Sequence, residues 1–293
     1  MKKFNYKLKP TEHPLDSEIF NSLSSKGFFI LKNSVPLDVI SSMKSKCEEE
    51  FNTKGNKVKQ KNRTNKWLVM PELLDTLFNP VVTNTCANFL GLEWKWDHIF
   101  FLKSSLTRKE IARTGSIYDL NDLHGGPFSN GGTNFFLQNY PQQPFPRAGR
   151  LNVGITMTSV NKNTGGPQIL PGTHLLQENC YFNKKGTGGM SLNWYKKWQE
   201  TNEILIPELE PGDILFFLDA CLHGTSFHSK TRYFCYAMAS PGFVRLVEHH
   251  ISAKKWQEHC RTPLEEVRFE DAFYFKHFAN SQRNRRLRLN DIS

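Results

Sequence analysis

Three side chains in this sequence have the types and spacing to hold a redox metal and an anionic co-substrate. They are His124 in Leu-His-Gly-Gly, His223 in Cys-Leu-His-Gly, and Arg232 nine residues further on. Two neutral imidazoles are what a mononuclear non-haem Fe(II) site needs from its nitrogen ligands. A guanidinium offers fixed, paired donors to the distal carboxylate of a 2-oxoacid. Such a site normally completes its facial triad with an Asp or Glu, commonly two residues after the first histidine. That position is Gly126, which has no side chain to ligate with. A histidine taken singly is more often a hydrogen-bonded residue than a ligand, so the weight falls on the combination.

The elements around these residues must bring them together. Pro211-Gly212-Asp213 reads as a turn into the apolar run 214–218, with His223 just past its end, and Arg232 opens the next apolar segment. A hairpin over 213–239 is therefore expected to set His223 beside Arg232. His124 follows a loop over 118–123, and Gly125 and Gly126 would let the backbone approach a ligand closely. Apolar periodicity and turn residues predict strands at 27–31, 93–103, 133–139, 150–160, 167–170, 203–206, 213–218 and 232–239. Helices are expected at 17–24, 36–50, 71–78 and 81–90, with further candidates at 191–199, 253–259 and 271–278. The pattern suits a closed or sandwiched antiparallel sheet, and it lacks the strand, Gly-rich turn and helix of a doubly wound fold.

Composition narrows the class. The 293 residues contain no Gly/Ser/Pro-rich linker, so a single domain over 1–293 is expected. With 23% charged and 13% aromatic residues, 23 of them Phe, the chain has the makings of a core. Six scattered cysteines without Cys-x-x-Cys spacing, and no N-terminal apolar segment, read as reduced thiols in a cytoplasmic protein. No apolar run is long enough to span a membrane. The net charge of +10 is concentrated in 53–67 and at Arg283, Arg285, Arg286 and Arg288. Those runs could steer an anionic small molecule toward a cleft, although a solvated loop and basic tail are the plainer reading. The Asn, Thr and Gln interleaved with the lysines offer no aromatic platform for bases, so nucleic acid is not the expected partner.

Together these motifs resemble the phytanoyl-CoA dioxygenase-like branch of the Fe(II)/2-oxoglutarate-dependent oxygenases. The family motif of a first His, an acid two positions on, a distal His and a later Arg falls on His124, Gly126, His223 and Arg232. Gly165-Gly166-Pro167-Gln168-Ile169-Leu170-Pro171-Gly172-Thr173-His174 resembles the turn, short strand and Pro-Gly-Ser-His of the family, and Pro211-Gly212-Asp213 matches its turn before the distal strand. The resemblance covers roughly 20–245 and implies a mainly β fold with flanking helices around a double-stranded β-helix, or cupin-like jelly roll. On this chain that core would span 94–240 with an insertion at 178–202, and a basic helical extension would occupy 245–293.

The resemblance implies Fe(II) and 2-oxoglutarate as cofactors and O2 and a small molecule, anionic or not, as partners, with iron held by His124 and His223. Arg232 would bind the co-substrate, assisted by Lys103. Asn152, Thr156 and Thr158 share a strand face and are secondary candidates for the same task. Asn134, Gln138 and His228 are candidates for the substrate, and His174 belongs to the turn. Gly126 leaves several chemistries open. One is an oxygenase, most simply a hydroxylase, completed by water or by a carboxylate from Asp119, Asp122 or Asp219. Another is a halogenase with chloride in the vacated position, as in family members that carry Gly or Ala there. The others are a metal-poor binding relative without turnover and a cupin-like enzyme of another class; retention of Arg232 argues against both. The sequence does not fix the oligomeric state.

Overall fold

The computed structural model describes residues 16–52, 60–61, 70–90, 95–104, 106–125, 150–175, 197–198 and 200–240. Gly126, Asn134, Gln138, the expected strand 133–139, the extension 245–293 and nearly all of the basic run and the insertion lie outside these residues.

Helices α1 (Asp16–Lys26), α2 (Leu37–Asn52), α3 (Pro71–Leu77), α4 (Pro80–Leu90) and α5 (Arg108–Thr114) accompany strands β1 (Phe28–Leu31), β2 (Gln60–Lys61), β3 (Lys95–Ser104), β4 (Leu151–Thr156), β5 (Pro167–Ile169), β6 (Ile214–Leu218), β7 (His223–Thr225) and β8 (Arg232–Ser240). A six-stranded antiparallel sheet runs β1-β6-β4-β8-β3-β2, and β5 and β7 form a second, two-stranded sheet. The sheets carry the cupin-like character expected. Two corrections follow. Among the described residues helices hold more than strands do, against the expected balance, and the sheets do not close into a barrel.

The expected hairpin over 213–239 does not form either. Strand β4 lies between β6 and β8 and pairs with both, Val153 standing opposite Phe216 on one side and Ala237 on the other. The chain leaves β6 for the second sheet, where β7 pairs with β5, before it returns as β8. Segment 203–206 contributes only a bridge between Leu205 and Ile169. Strand β4 stops at Thr156, and the Thr158 hydroxyl instead binds the backbone of Tyr233, accepting from its N–H at 2.9 Å.

Alternation along paired strands separates two faces of the large sheet. One carries Val153, Ile155, Phe101, Tyr233, Cys235 and Ala237, and it is covered by helices: Phe51 of α2 meets the Tyr233 ring edge-on at 6.4 Å. The other carries Asn152, Gly154, Thr156, Phe217, Arg232, Phe234 and Tyr236. This second face is the unusual one, because it buries an arginine, an amide and a hydroxyl among aromatic rings.

The Pro-Gly-Asp turn anchors this sheet. Gly212, at φ +96°, presses against Val35, where an added Cβ would sit 2.4 Å from the carbonyl oxygen. Fully buried Asp213 accepts from the Asn33 and Glu210 amides and from Lys32 Nζ, each at 2.8 Å. Removing the carboxylate strands two backbone donors in the interior. Asp213→Ala is expected to lower unfolding free energy by about 2–4 kcal/mol, read from urea denaturation, whereas Lys32→Ala, whose side chain is half exposed, costs under about 1 kcal/mol.

Candidate active site

His124 and His223 are brought together by their own backbones. Each donates its N–H to the other's carbonyl, at 2.8 and 2.9 Å, in an isolated antiparallel bridge. Side chains at directly opposed positions leave the same side of a ladder, and the two imidazoles stand 4.5 Å apart between centroids. Their tautomers are set in the same way. Nδ1 of His124 lies 2.6 Å from the Asp122 carbonyl, and Nδ1 of His223 lies 2.7 Å from the Cys221 carbonyl. A carbonyl oxygen only accepts, so both Nδ1 atoms carry the proton and both Nε2 atoms present a lone pair. Burial, reinforced by the neighbouring His124, holds His223 far below its ordinary value, at about 4, so its ring is neutral at pH 7.

Close contacts fix this pair. Gly125, at φ +79°, packs on Asp219 and His223, where a Cβ would fall 2.5 Å from the Asp219 carbonyl oxygen and 2.7 Å from the imidazole. Gly224 does the same for the Asp122 carbonyl, which a Cβ would approach to 2.6 Å. The Asp122 carboxylate accepts the Thr225 N–H at 2.6 Å, tying the 3-10 turn Leu120–Asp122 to β7. Buried Gln168 completes the frame: its amide donates to the Asp119 carbonyl and accepts the Asp119 N–H at 3.2 Å.

Arg232 lies on the polar, aromatic face of the large sheet and is 2% exposed. Its Nε donates to Ser104 Oγ at 2.9 Å, the residue opposite it on β3, while among the described residues Nη1 and Nη2 have no hydrogen-bond partner. Asn152 Oδ1 and Thr156 Oγ1, also fully buried, are likewise unsatisfied. Burial lowers the arginine from its ordinary value, opposed by Tyr236 and Asp122, and burial pushes Tyr236 up to about 12, leaving a neutral phenol. Aromatic contacts connect the two halves of the site. His223 meets Phe217 edge-on at 4.8 Å, Phe217 meets Tyr236 at 6.2 Å, and Tyr236 stacks on Phe234, above which the guanidinium sits at 5.7 Å.

Of the residues expected from the sequence, His124, His223, Arg232, Asn152 and Thr156 are therefore gathered around one face. Lys103 is not: it stands opposite Tyr233 on the helix-covered side, its ammonium 5.8 Å from that ring. Thr158 spends its hydroxyl on the Tyr233 backbone. His228 is buried with its backbone bound to Thr107, and His174 is bound to the Ser24 carbonyl through Nε2. Asp219, 7% exposed, places Oδ1 3.9 Å from His223 Nε2. Ser104, Gln168 and Tyr236 were not legible as site residues. Only Gln168 gave a signal, as a polar residue inside a short apolar strand.

The donor types suit iron and a dicarboxylate. Two imidazoles with unprotonated Nε2 atoms stand 4.5 Å apart between centroids, and a buried guanidinium has two donors unused among the described residues. Among the described residues no group of three His, Cys, Asp or Glu stands ready-made around a metal position. No described helix is long and apolar enough to cross a membrane.

The family model described as Phytanoyl-CoA dioxygenase (PhyH) matches residues 24–232. Solved structures share the fold. EctD from S. alaskensis with bound Fe is 12% identical, with a TM-score of 0.58 over 82% of each chain. HygX from Streptomyces hygroscopicus with nickel and 2-oxoglutarate bound is 12% identical, with a TM-score of 0.57 over 79% of this chain and 89% of that one. SnoN from nogalamycin biosynthesis, in complex with Fe3+, alpha ketoglutarate and nogalamycin RO, is 12% identical, with a TM-score of 0.56 over 78% and 84%. At these identities the likeness is one of fold. No curated protein matches the sequence.

Two substitutions separate packing from backbone strain. Gly125→Ala meets both a left-handed φ and a clash and is expected to cost about 2–5 kcal/mol, while Gly115→Ala, at φ +65° with nothing within 4 Å, costs about 1–2 kcal/mol by chemical denaturation. His174 tests the buried histidine. Burial lowers its folded-state pKa despite the Ser24 bond, so its contribution to stability is complete above the unfolded value of about 6.5 and is lost as pH falls below it. Metal-free His174→Gln should therefore lose less unfolding free energy than wild type between about pH 7 and pH 5.

Proposed function

The chain belongs to the phytanoyl-CoA dioxygenase family of the Fe(II)/2-oxoglutarate-dependent oxygenases, and from that premise we propose that it functionalises an unactivated C–H bond of a small, anionic metabolite by hydroxylation, consuming O2 and 2-oxoglutarate and releasing succinate and CO2. The observation that carries the reading is Arg232, buried with both terminal nitrogens unpartnered among the described residues, on the face over which the two histidines stand. A buried guanidinium with two unused donors is costly to maintain unless a ligand uses them. Iron, when bound with the 2-oxoacid, supplies the reduction of O2 that drives C–H oxidation.

The chain's own residues do the rest. His124 and His223 would hold the metal through Nε2, their rings kept in place by the Asp122 and Cys221 carbonyls. Arg232 would take the distal carboxylate of 2-oxoglutarate through Nη1 and Nη2 while Ser104 holds Nε, and the Thr156 hydroxyl and neutral Tyr236 phenol lie on the same face to donate further bonds. Phe217, Phe234 and Tyr236 would exclude water between metal and anion. The net charge of +10 is the support for an anionic substrate. A second reading has an observation of its own: Gly126 at the acid position favours a halogenase that binds chloride beside the histidines.

Anaerobic titration with Fe(II) and 2-oxoglutarate tests the proposal. Wild type is expected to develop a visible charge-transfer band only when both are present, and to release succinate when O2 is admitted. Arg232→Gln should weaken 2-oxoglutarate binding by about 100-fold, the loss of two charge-assisted hydrogen bonds. Neither band nor succinate from protein that binds both components would contradict it.

A further inference from the structure

We infer that Asp219 supplies the carboxylate ligand that position 126 lacks. The inference rests on the iron-binding reading above and specifies its third protein donor. Asp219 lies at the end of β6, four residues before His223, with its side chain nearly buried. Its Oδ1 is 3.9 Å from His223 Nε2, the nitrogen that the Cys221 carbonyl leaves unprotonated. Donors each about 2.1 Å from one ion lie about 3 Å apart when adjacent and about 4 Å apart when opposite. The observed separation accommodates a shared ion, and a small rotation of the carboxylate makes the two donors adjacent, as a facial set requires.

The backbone around Asp219 is as firmly placed as that of the histidines. Its N–H donates to the Arg150 carbonyl at 3.1 Å, and its own carbonyl is the atom against which Gly125 closes. The tight turn to β7 is held by the Cys221 N–H on the Leu218 carbonyl at 2.9 Å. The carboxylate itself is weakly committed. Asn152 Nδ2 reaches Oδ1 only at 3.4 Å, and His223 is its one ion-pair partner among the described residues. A nearly buried carboxylate needs a positive partner, and a divalent cation between it and two imidazoles is one. Asp122, by contrast, spends its carboxylate on the Thr225 amide. With His124, His223 and Asp219 as protein ligands the iron would keep a two-histidine, one-carboxylate set, and with a bidentate 2-oxoacid only the one position that O2 needs would remain.

Anaerobic Fe(II) binding, measured by chelator competition in the full chain, tests this. Asp219→Asn preserves shape and removes the charge, and it is expected to weaken Fe(II) binding by about 100-fold or more. Chloride should shift the Fe(II)–2-oxoglutarate band further in Asp219→Ala, where a second position has opened, than in wild type. A second substitution, Gly126→Asp, added to Asp219→Ala should recover the affinity and return the chloride shift to its wild-type size, which a contact outside the coordination shell would not produce. Unchanged affinity in Asp219→Asn alongside lost affinity in His124→Ala and His223→Ala would overturn the inference and leave the iron reading standing. A chloride shift in wild type as large as that in Asp219→Ala would overturn it as well. Unchanged affinity in all three variants would overturn both.

Discussion

The reciprocal hydrogen bonds between His124 and His223 are the constraint on which the rest of the site depends. Two imidazoles ninety-nine residues apart in sequence become neighbours because their main chains pair, not because their side chains attract. Everything nearby preserves that pairing. Gly125 and Gly224 let backbone press against ring and carbonyl where a methyl group would not fit, and Asp122 and Gln168 staple the incoming loop to the second sheet. Backbone placement makes the histidine geometry a property of the fold rather than of rotamer choice, which is what a metal site needs from its scaffold.

The opposing half of the site is built on the large sheet by alternation. Strands β4 and β8 send aliphatic residues toward the helices and send Asn152, Thr156, Arg232, Phe234 and Tyr236 to the other side. Gly154 lies where a Cβ would come within 3.0 Å of the Tyr236 ring, so the missing side chain gives that ring room to lie against the strand. Burial then works in two directions. It strengthens any bond that Arg232 makes to a carboxylate, and it penalises Arg232 when that bond is unmade. Asp219 is another nearly buried charge close by, with Oδ1 3.9 Å from His223 Nε2 and 3.4 Å from Asn152 Nδ2.

Local patterns made much of this legible. Apolar runs bounded by Gly, Pro and Asp located β1, β3, β4, β6 and β8, and helical periodicity located α1 to α4, because each of these segments buries a stripe or a face. His124, His223 and Arg232 stood out through their order and spacing. What failed was non-local. Nothing in 213–239 announces that β4 inserts between β6 and β8, so the expected hairpin was the simplest but wrong connection. Lys103 was misplaced by one position: register puts Ser104 opposite Arg232 and turns Lys103 to the helices. The three-residue strand β7 is too short for periodicity, although it carries the distal histidine. Asp219 was one of three nearby acids in sequence; the structure places it 3.9 Å from His223 Nε2, while Asp122 binds the Thr225 amide.

One metal and one 2-oxoacid are proposed to share the space between the histidine pair and Arg232. A crystal structure of the anaerobic protein soaked with Fe(II) and 2-oxoglutarate, with anomalous scattering recorded at the iron edge, examines that claim most directly. The account predicts an iron peak about 2.1 Å from Nε2 of both His124 and His223, with the co-substrate's distal carboxylate on Nη1 and Nη2 of Arg232. Iron bound away from the histidines, or 2-oxoglutarate ordered without touching Arg232, would contradict it.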